Sequence, residues 1–161
     1  MMKLLYRGTR DGDLAKNFHE KCDNQGPTIT LCKHEKGYIF GGYSSTAWKS
    51  GNNYFASPNS FLFSLTNIFE TDPIKFHLKD NNSGSSIYDY YNNGPTFGNG
   101  HDIRINDNFI KNDTQFFFPW TYQDTSGKGN SIFTGDINDN NLNNGYKKCK
   151  IKEVEVFKLL N

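Results

Sequence analysis

The sequence predicts a mainly β (α+β) fold, a two-sheet antiparallel β-sandwich with one or two flanking helices. Short apolar segments alternate with turn signals such as Gly26-Pro27, Gly94-Pro95 and Gly127-Lys128-Gly129, a pattern typical of antiparallel sheets. Phe, Tyr and Trp make up 16% of the 161 residues, and each such side chain buries about 150–250 Å². We therefore expect a single domain over residues 1–161, built around one aromatic core.

One segment predicts a helix. Asp11-Gly12-Asp13 offers a carboxylate as N-cap, and Leu14, Phe18 and Cys22 follow at intervals of four residues on one helical face. Asn24 then favours the end of the helix. The other apolar segments predict strands at 28–33, 38–43, 61–65, 74–78, 102–105, 115–118 and 154–160. The first two of these form a hairpin, and the segment 61–65 has the pattern of a strand buried on both faces.

Charge and hydropathy exclude several classes of protein. The net charge is +1, and lysines and acids are interleaved along the chain, so nothing indicates a nucleic-acid-binding stripe. No apolar run approaches the roughly 20 residues that a membrane helix needs, and the start of the chain lacks the pattern of a signal peptide. We expect a cytoplasmic protein that does not insert into membranes.

The three cysteines, Cys22, Cys32 and Cys149, are widely spaced. An odd and scattered set is not a disulfide framework, and no C-x-x-C pair indicates zinc. We expect buried or partly buried free thiols. A redox-sensing thiol is the alternative, and it would need a lowered pKa.

Acid–base chemistry has two weak candidates. His101 and Asp102 could act as base and orienting carboxylate, but adjacent residues of a regular strand point to opposite faces. Glu153 and Glu155 could act as paired carboxylates, although alternating glutamates more often form the solvated face of an amphipathic strand, which could also meet a partner. No nucleophile elbow or phosphate-binding loop is present. We therefore predict no catalytic residue and no cofactor.

An Asn-rich segment, 136–146, predicts a loop. Asp136, Asn138 and Asn140 match the first ligand positions of a calcium-binding loop. The position that needs glycine is Asn141, and the position that needs a bidentate glutamate is Lys147. The four histidines of the chain also lack metal-binding spacings. We predict no metal site.

Two arginines flank the turn that precedes the predicted helix. Arg7 and Arg10 lie near Asp11 in the sequence, and Asp23 ends the helical segment. We expect a structural network of ion pairs at this point, with a ligand site as the alternative.

Several segments, taken in order, resemble the TLDc domain family. LLYRGTRDG (4–12) is similar to the family's LYRaSRDG opening, FHEKCD (18–23) to FH-x-kCD, and GPTIT (26–30) to GPTlt. IFGGY (39–43), Trp48, NSFLFSL (59–65) and GPTFGNGHDI (94–103) follow in the family's order, and Gly135 and IKEVEVF (151–157) fit its tail. One segment alone would be a weak signal, but the ordered set is specific and covers nearly the whole chain.

The resemblance implies a β-sandwich that binds other proteins without catalysis. The family is linked to oxidation resistance, and its members bind and regulate the vacuolar proton-pumping ATPase, which would place this chain at the cytosolic face of endolysosomal membranes. The alternatives are a structural subunit of a cytoskeletal or axonemal assembly and a thiol-based redox enzyme. Family members usually carry a helical segment before the LYR strand, and this segment is apparently absent here.

Two sets of residues are candidates for the partner surface. The first consists of charged and polar residues with a partner-binding or structural role: Arg7, Arg10, Asp11, His101, Asp102, Glu153 and Glu155. The second consists of aromatic residues expected in loops: Tyr88, Tyr90, Tyr91, Trp120 and Tyr122. An exposed aromatic patch among the second set would mark a binding face.

Overall fold

The computed structural model describes residues 1–80, 83–140 and 145–160. In chain order its strands are β1 (Met2–Arg7), β2 (Thr28–His34), β3 (Ile39–Ser44), β4 (Asn53–Phe55), β5 (Phe61–Ser64), β6 (Ile74–His77), β7 (Ile87–Asp89), β8 (Asn93–Phe97), β9 (Ile103–Asn106), β10 (Thr114–Phe116), β11 (Lys147–Cys149) and β12 (Ile151–Leu159). They form two antiparallel sheets of six strands each, in the orders β1-β12-β2-β3-β5-β6 and β11-β10-β9-β8-β7-β4. The predicted fold class is confirmed.

In the described ranges, three short α-helices accompany the sheets: α1 (Gly8–Asp11), α2 (Ala15–Cys22) and α3 (Ser131–Thr134). The predicted helix is α2, and its apolar face buries Phe18 and Cys22 as expected. The expected N-cap is wrong, because the helix starts after Leu14, whose side chain cannot accept a hydrogen bond. A distant carboxylate replaces the local one, since the amide of Ala15 donates to Asp107 Oδ1 at 2.7 Å. Among the described residues, no helix is long and apolar enough to span a membrane.

Aromatic rings join the two sheets. Phe40 of β3 contacts Phe116 of β10 edge-on, with 5.5 Å between ring centroids. Trp48, in the loop after β3, contacts Phe97 of β8 at 5.8 Å in the same way. All four side chains are buried, and edge-to-face pairs at these distances stabilise a core beyond the area they bury. The sequence expectation of a core built from aromatic side chains is confirmed.

The three cysteines are buried free thiols, as the sequence predicts. Burial is the first cause that raises the pKa of the thiols of Cys22, Cys32 and Cys149. The thiolate is the form that reacts with oxidants and metals. These thiols therefore lack the environment that a redox-sensing cysteine requires.

Glycine is required where backbones approach most closely. A Cβ at Gly41 would overlap the carbonyl oxygen of Thr30 on the neighbouring strand, and one at Gly42 would meet the ring of Phe97. Gly98 has a φ of +92°, a region that side chains disfavour. Close backbone approach at Gly41 and Gly42 and the positive φ at Gly98 therefore account for glycine at these positions.

The pattern of apolar segments did not predict β4, β7, β8 and β11. β4, β7 and β11 contain three residues, too few for a hydrophobic period, and β8 contains Gly94 and Pro95, which predict a turn. The segment 61–65 is buried at Leu62 and Phe63, but Leu65 is 40% exposed. Burial on both faces therefore holds for the centre of this strand and is wrong at its end.

Candidate protein-binding face

The outer face of the first sheet changes from charged to apolar along one row of neighbours. Arg7 of β1 pairs with Glu155 of β12, and Glu155 pairs with Leu31 of β2. Leu31 pairs with Gly41 of β3, which pairs with Phe63 of β5. Because directly paired residues of an antiparallel sheet share one face, these side chains form a continuous surface.

The apolar part of this face is a groove of about 400 Å³. Its lining is almost entirely hydrocarbon and includes Met2, Ile29, Leu31, Phe61, Phe63 and Phe157. Lys75 is exposed at its margin, and its Nζ lies 3.9 Å from the centroid of the Phe61 ring in a cation–π contact. We call this surface the apolar groove.

A depression of about 530 Å³ adjoins the apolar groove, and Leu31 lines both. It contains Arg7, Glu153 and Glu155, three of the charged residues that the sequence singled out. The Arg7 Nε donates to Glu155 Oε1 at 2.6 Å. The amide and hydroxyl of Thr9 both donate to the Glu153 carboxylate. We call this surface the charged depression.

The charged depression remains open to solvent. The side chains of the Arg7–Glu155 pair are 45% and 23% exposed. Exposed ion pairs contribute at most about 1 kcal/mol to folding. This ion pair therefore adds little to the stability of the fold.

Arg10 and Asp11 form a separate ion pair beside the charged depression. Arg10 Nη2 donates to Asp11 Oδ2 at 2.7 Å, and the amide of Arg7 donates to the same oxygen at 2.9 Å. The guanidinium of Arg10, with this amide, lowers the pKa of the Asp11 carboxyl to about 2. Asp23, expected in this network, instead contacts His19 and Ser50, because it ends α2 at the opposite end from Asp11.

His101 lies in a turn before β9, with a φ of +65°, and Asp102 also precedes this strand, so the argument from opposite faces of a regular strand does not apply to this pair. Its ring stacks on Tyr88 at 4.7 Å between centroids, and its Nε2 is 3.3 Å from the hydroxyl oxygen of Tyr54. Burial, aided by the positive charge of Arg104, lowers the pKa of His101 to about 4. The imidazole is therefore neutral near pH 7.

Asp102 is fully buried and anchors the loop that follows β10. Its carboxylate accepts hydrogen bonds from the amides of Trp120, Thr121 and Tyr122, at 2.9 to 3.1 Å. Burial raises the pKa of Asp102 to about 7, and the three amide donors oppose this rise. The donors to this carboxylate are the three amides and the side chain of Thr121 rather than the His101 ring, so its geometry is that of a structural anchor.

The loop aromatic residues are divided between surface and core. Tyr122 is buried and donates its hydroxyl to the Ser86 carbonyl oxygen at 2.7 Å. Tyr91 and Trp120 are 54% and 52% exposed, and Tyr88 and Tyr90 are partly buried against each other. The sequence missed the apolar groove, because aromatic residues in a strand have the same pattern whether they face a core or a partner.

The calcium pattern at 136–147 gains no support from the described part of this segment. Asp136 Oδ1 accepts hydrogen bonds from the amide and the side chain of Asn138 at 2.9 and 3.1 Å. Lys147 lies 3.7 Å from Asp139, where it would repel a cation. Asn141, at the position that needs glycine, lies outside the described residues.

Comparisons with known proteins agree with this fold and with the motif order. A stretch of 63 residues is 35% identical to the MTOR-associated protein MEAK7 of Danio rerio, which is 39% of this chain and 14% of that protein. The family model described as the TLDc domain matches residues 1–160, almost the whole sequence. The chain therefore belongs to the TLDc domain family.

Proposed function

We propose that this chain is a non-catalytic protein-binding module that regulates the vacuolar proton-pumping ATPase. The observation that carries the proposal is the apolar groove with the charged depression beside it. Such a surface matches the usual plan of a protein interface, in which an apolar centre is bordered by polar groups. The membership in the TLDc family supports the choice of partner.

The proposed contact has two parts. Apolar side chains of the pump subunit cover Met2, Leu31 and Phe61 and supply most of the affinity, because removal of apolar surface from water drives association. Charged groups of the pump meet Arg7 and Glu153 and fix the orientation of the complex. The surface needs no catalytic group for this role.

Two further features of the proposal follow from the family. The module acts in the cytoplasm, at the cytosolic face of endolysosomal membranes, and it contributes to resistance against oxidative stress through the pump rather than through its own thiols. The relative named above supports a role in binding, since its name describes it as associated with another protein, MTOR.

A binding assay with the purified pump tests the proposal. We expect the wild-type chain to bind at micromolar concentration or tighter and to change the ATPase rate. Leu31→Ser removes the apolar side chain shared by the groove and the depression, and we expect affinity to fall about 30-fold, as for an interface residue worth about 2 kcal/mol.

The matched control is Ile110→Ser. Ile110 is also apolar and 47% exposed, but it lies in the turn after β9, outside both surfaces. Circular dichroism and thermal unfolding show that both variants fold. Absence of binding by the wild-type chain, or equal binding by both variants, would contradict the proposal. Association with filaments in cells would instead favour a structural subunit of another assembly.

A further inference from the structure

Three side chains converge where the end of α2 meets β7. His19 lies in α2, Asp23 follows its last residue, and Asp89 ends β7. One ligand atom from each residue lies within 4.8 Å of the other two. His19 and Asp89 are buried, at 8% and 0% exposure, and the Asp23 side chain is 19% exposed. The cluster is therefore almost closed to solvent, and an ion would enter it from the side of Asp23.

The backbone fixes the hydrogen position on the His19 ring. Nε2 lies 3.1 Å from the Tyr90 carbonyl oxygen and 3.0 Å from that of Asn93. Both neighbours can only accept, so Nε2 carries a hydrogen and donates it. A neutral ring then presents its lone pair at Nδ1, which is the arrangement that histidine ligands of metals adopt when a carbonyl holds the other nitrogen.

The two carboxylates are held in the same manner, each by one oxygen. The Ser50 hydroxyl donates to Asp23 Oδ2 at 2.6 Å. The amides of Lys49 and Gly51 donate to Asp89 Oδ2 at 2.8 and 3.3 Å. Each residue is thus anchored at one atom, and the remaining atoms are His19 Nδ1, Asp23 Oδ1 and Asp89 Oδ1.

Asp89 Oδ1 gives independent support for a ligand. It is buried, and within the described part of the chain no group donates a hydrogen bond to it. A buried carboxylate oxygen without a partner is costly, and such atoms indicate a missing ion or water. The nearby lysine does not fill this position, since Lys49 Nζ lies over the Phe55 ring, 4.0 Å from its centroid.

The contact between His19 and Asp23 also requires a positive centre. Nδ1 and Asp23 Oδ1 are 2.8 Å apart, and two lone pairs at this distance repel. Either a proton on Nδ1 or a cation bound to both atoms removes the repulsion. A proton would satisfy Asp23 alone, whereas a cation would also satisfy Asp89 Oδ1.

We infer that His19, Asp23 and Asp89 bind a divalent transition-metal cation of the Zn²⁺ or Mn²⁺ type. One nitrogen and two carboxylate oxygens suit these ions, whereas Mg²⁺ prefers oxygen ligands alone. The ion would join the end of α2 to β7. Joining two elements of the fold is a structural role. Sequence spacing does not indicate this site, because Asp89 follows the histidine by many residues and lies on another element.

Titration calorimetry of chelator-treated wild-type chain with ZnCl₂ and MnCl₂ tests the inference, with MgCl₂ as the comparison. We expect one equivalent of Zn²⁺ to bind, Mn²⁺ to bind more weakly, and Mg²⁺ not to bind. The melting temperature should rise with Zn²⁺, because a ligand that binds only the folded chain stabilises it. If neither Zn²⁺ nor Mn²⁺ produced binding heat or a shift in melting temperature, the inference would be overturned. A proton on Nδ1 would then account for the contact with Asp23.

Variants locate the ion. Asp23→Asn changes the partly exposed ligand, and we expect Zn²⁺ affinity to fall at least 10-fold. Ser50→Ala removes the hydroxyl that orients Asp23 and should weaken binding by about 10-fold or more. His101→Gln, which changes a histidine outside the cluster, should leave binding unchanged. Equal affinity in Asp23→Asn would place the ion elsewhere and overturn the inference.

A spectroscopic measurement on the wild-type chain makes the outcome independent of how the variants fold. Addition of Zn²⁺ to ¹⁵N-labelled protein should shift the His19 Nδ1 resonance and leave the Nε2 hydrogen in place. An Nδ1 resonance that does not respond to Zn²⁺ would overturn the inference.

Discussion

The charged depression on the first sheet and the loop anchored by Asp102 beside the second sheet use charged side chains in opposite ways. Arg7 and Glu155 pair in a solvent-exposed position, at 45% and 23% exposure. Asp102 has no exposed surface, and it accepts hydrogen bonds from three backbone amides and from the Thr121 side chain. The exposed pair contributes little to folding, whereas loss of a buried acceptor leaves several donors unpaired.

The difference shows which part of the motif pattern serves the fold. The segment GPTFGNGHDI contains both glycine with positive φ and the buried carboxylate, so its residues are used to build one loop. Strands β1 and β12 contain Arg7, Glu153 and Glu155, whose side chains line an open surface. A charge can thus be tied to structure in one region and left exposed to solvent in the other.

The largest expected effect follows removal of the buried anchor. Asp102→Ala leaves the amides of Trp120, Thr121 and Tyr122 without their acceptor in a buried position. We expect the free energy of unfolding to fall by about 3–5 kcal/mol, since each unpaired buried group costs about 1–3 kcal/mol and the loop can relax in part. Urea unfolding followed by circular dichroism measures this change.

The control for this prediction is Asp72→Ala, which changes an exposed aspartate before β6. Its effect should stay within about 0.5 kcal/mol. If both substitutions had equal effects, the contrast between the two regions would be broken, because Asp102 would then contribute no more than a surface charge.

Much of the fold was predictable where a local pattern reports the structure directly. Residues 28–44 combine β-branched residues, a turn and a returning strand, and they form β2 and β3 as expected. The short strands β4, β7 and β11 were missed, because three residues cannot show a period and their pairing depends on distant strands. The N-cap of α2 failed for the same reason, since its acceptor is Asp107, 92 positions along the chain.

The candidate site was predictable only as separate residues. Arg7 and Glu155 were both singled out, but their contact joins positions 148 residues apart, and only the order of strands in the sheet creates it. The apolar groove was missed, because Ile29, Leu31 and Phe61 follow patterns that also fit a core. Side chains that come together from different strands leave no common pattern in a single sequence.

The next effect in size concerns the ring beside the anchor. Its surroundings lower the pKa of His101 to about 4 from an unperturbed 6.5, so the unfolded chain binds this proton first. Stability from the neutral ring is therefore present above about pH 6.5 and is lost as the pH falls towards 4. His101→Gln removes this loss. As the pH falls from 7 to 4.5, the free energy of unfolding of the variant should rise relative to that of the wild type by about 1–2 kcal/mol. This range allows for solvent screening of a partly exposed ring.

Urea unfolding of both chains at several pH values measures that difference. His77→Gln is the control, because His77 is exposed at the end of β6 and a surface substitution should change stability by no more than about 0.5 kcal/mol. A constant difference for His101→Gln would show that this ring is as accessible as a surface histidine. The region around Asp102 would then be more accessible to solvent than its comparison with the charged depression assumes.

The smallest effect on stability, and the sharpest test of the contrast, comes from Arg7→Gln. The substitution removes the ion pair with Glu155, yet we expect the free energy of unfolding to change by no more than about 0.5 kcal/mol, because exposed pairs contribute little. Binding to the pump should respond more strongly. Loss of a charge at the margin of an interface mainly slows association and weakens its dependence on salt, and surface plasmon resonance at two salt concentrations measures both.

Arg10→Gln is the matched control, since Arg10 is 51% exposed and also forms an ion pair, but it lies outside the lining of the charged depression. It should change neither stability nor association by a comparable amount. If Arg7→Gln lowered the free energy of unfolding by as much as it raised the activation free energy of association, the ion pair with Glu155 would be part of the fold, as Asp102 is. A slower association with unchanged stability would instead separate the two uses of charge within one molecule, because the same ion pair would matter to the partner and hardly to the chain that carries it.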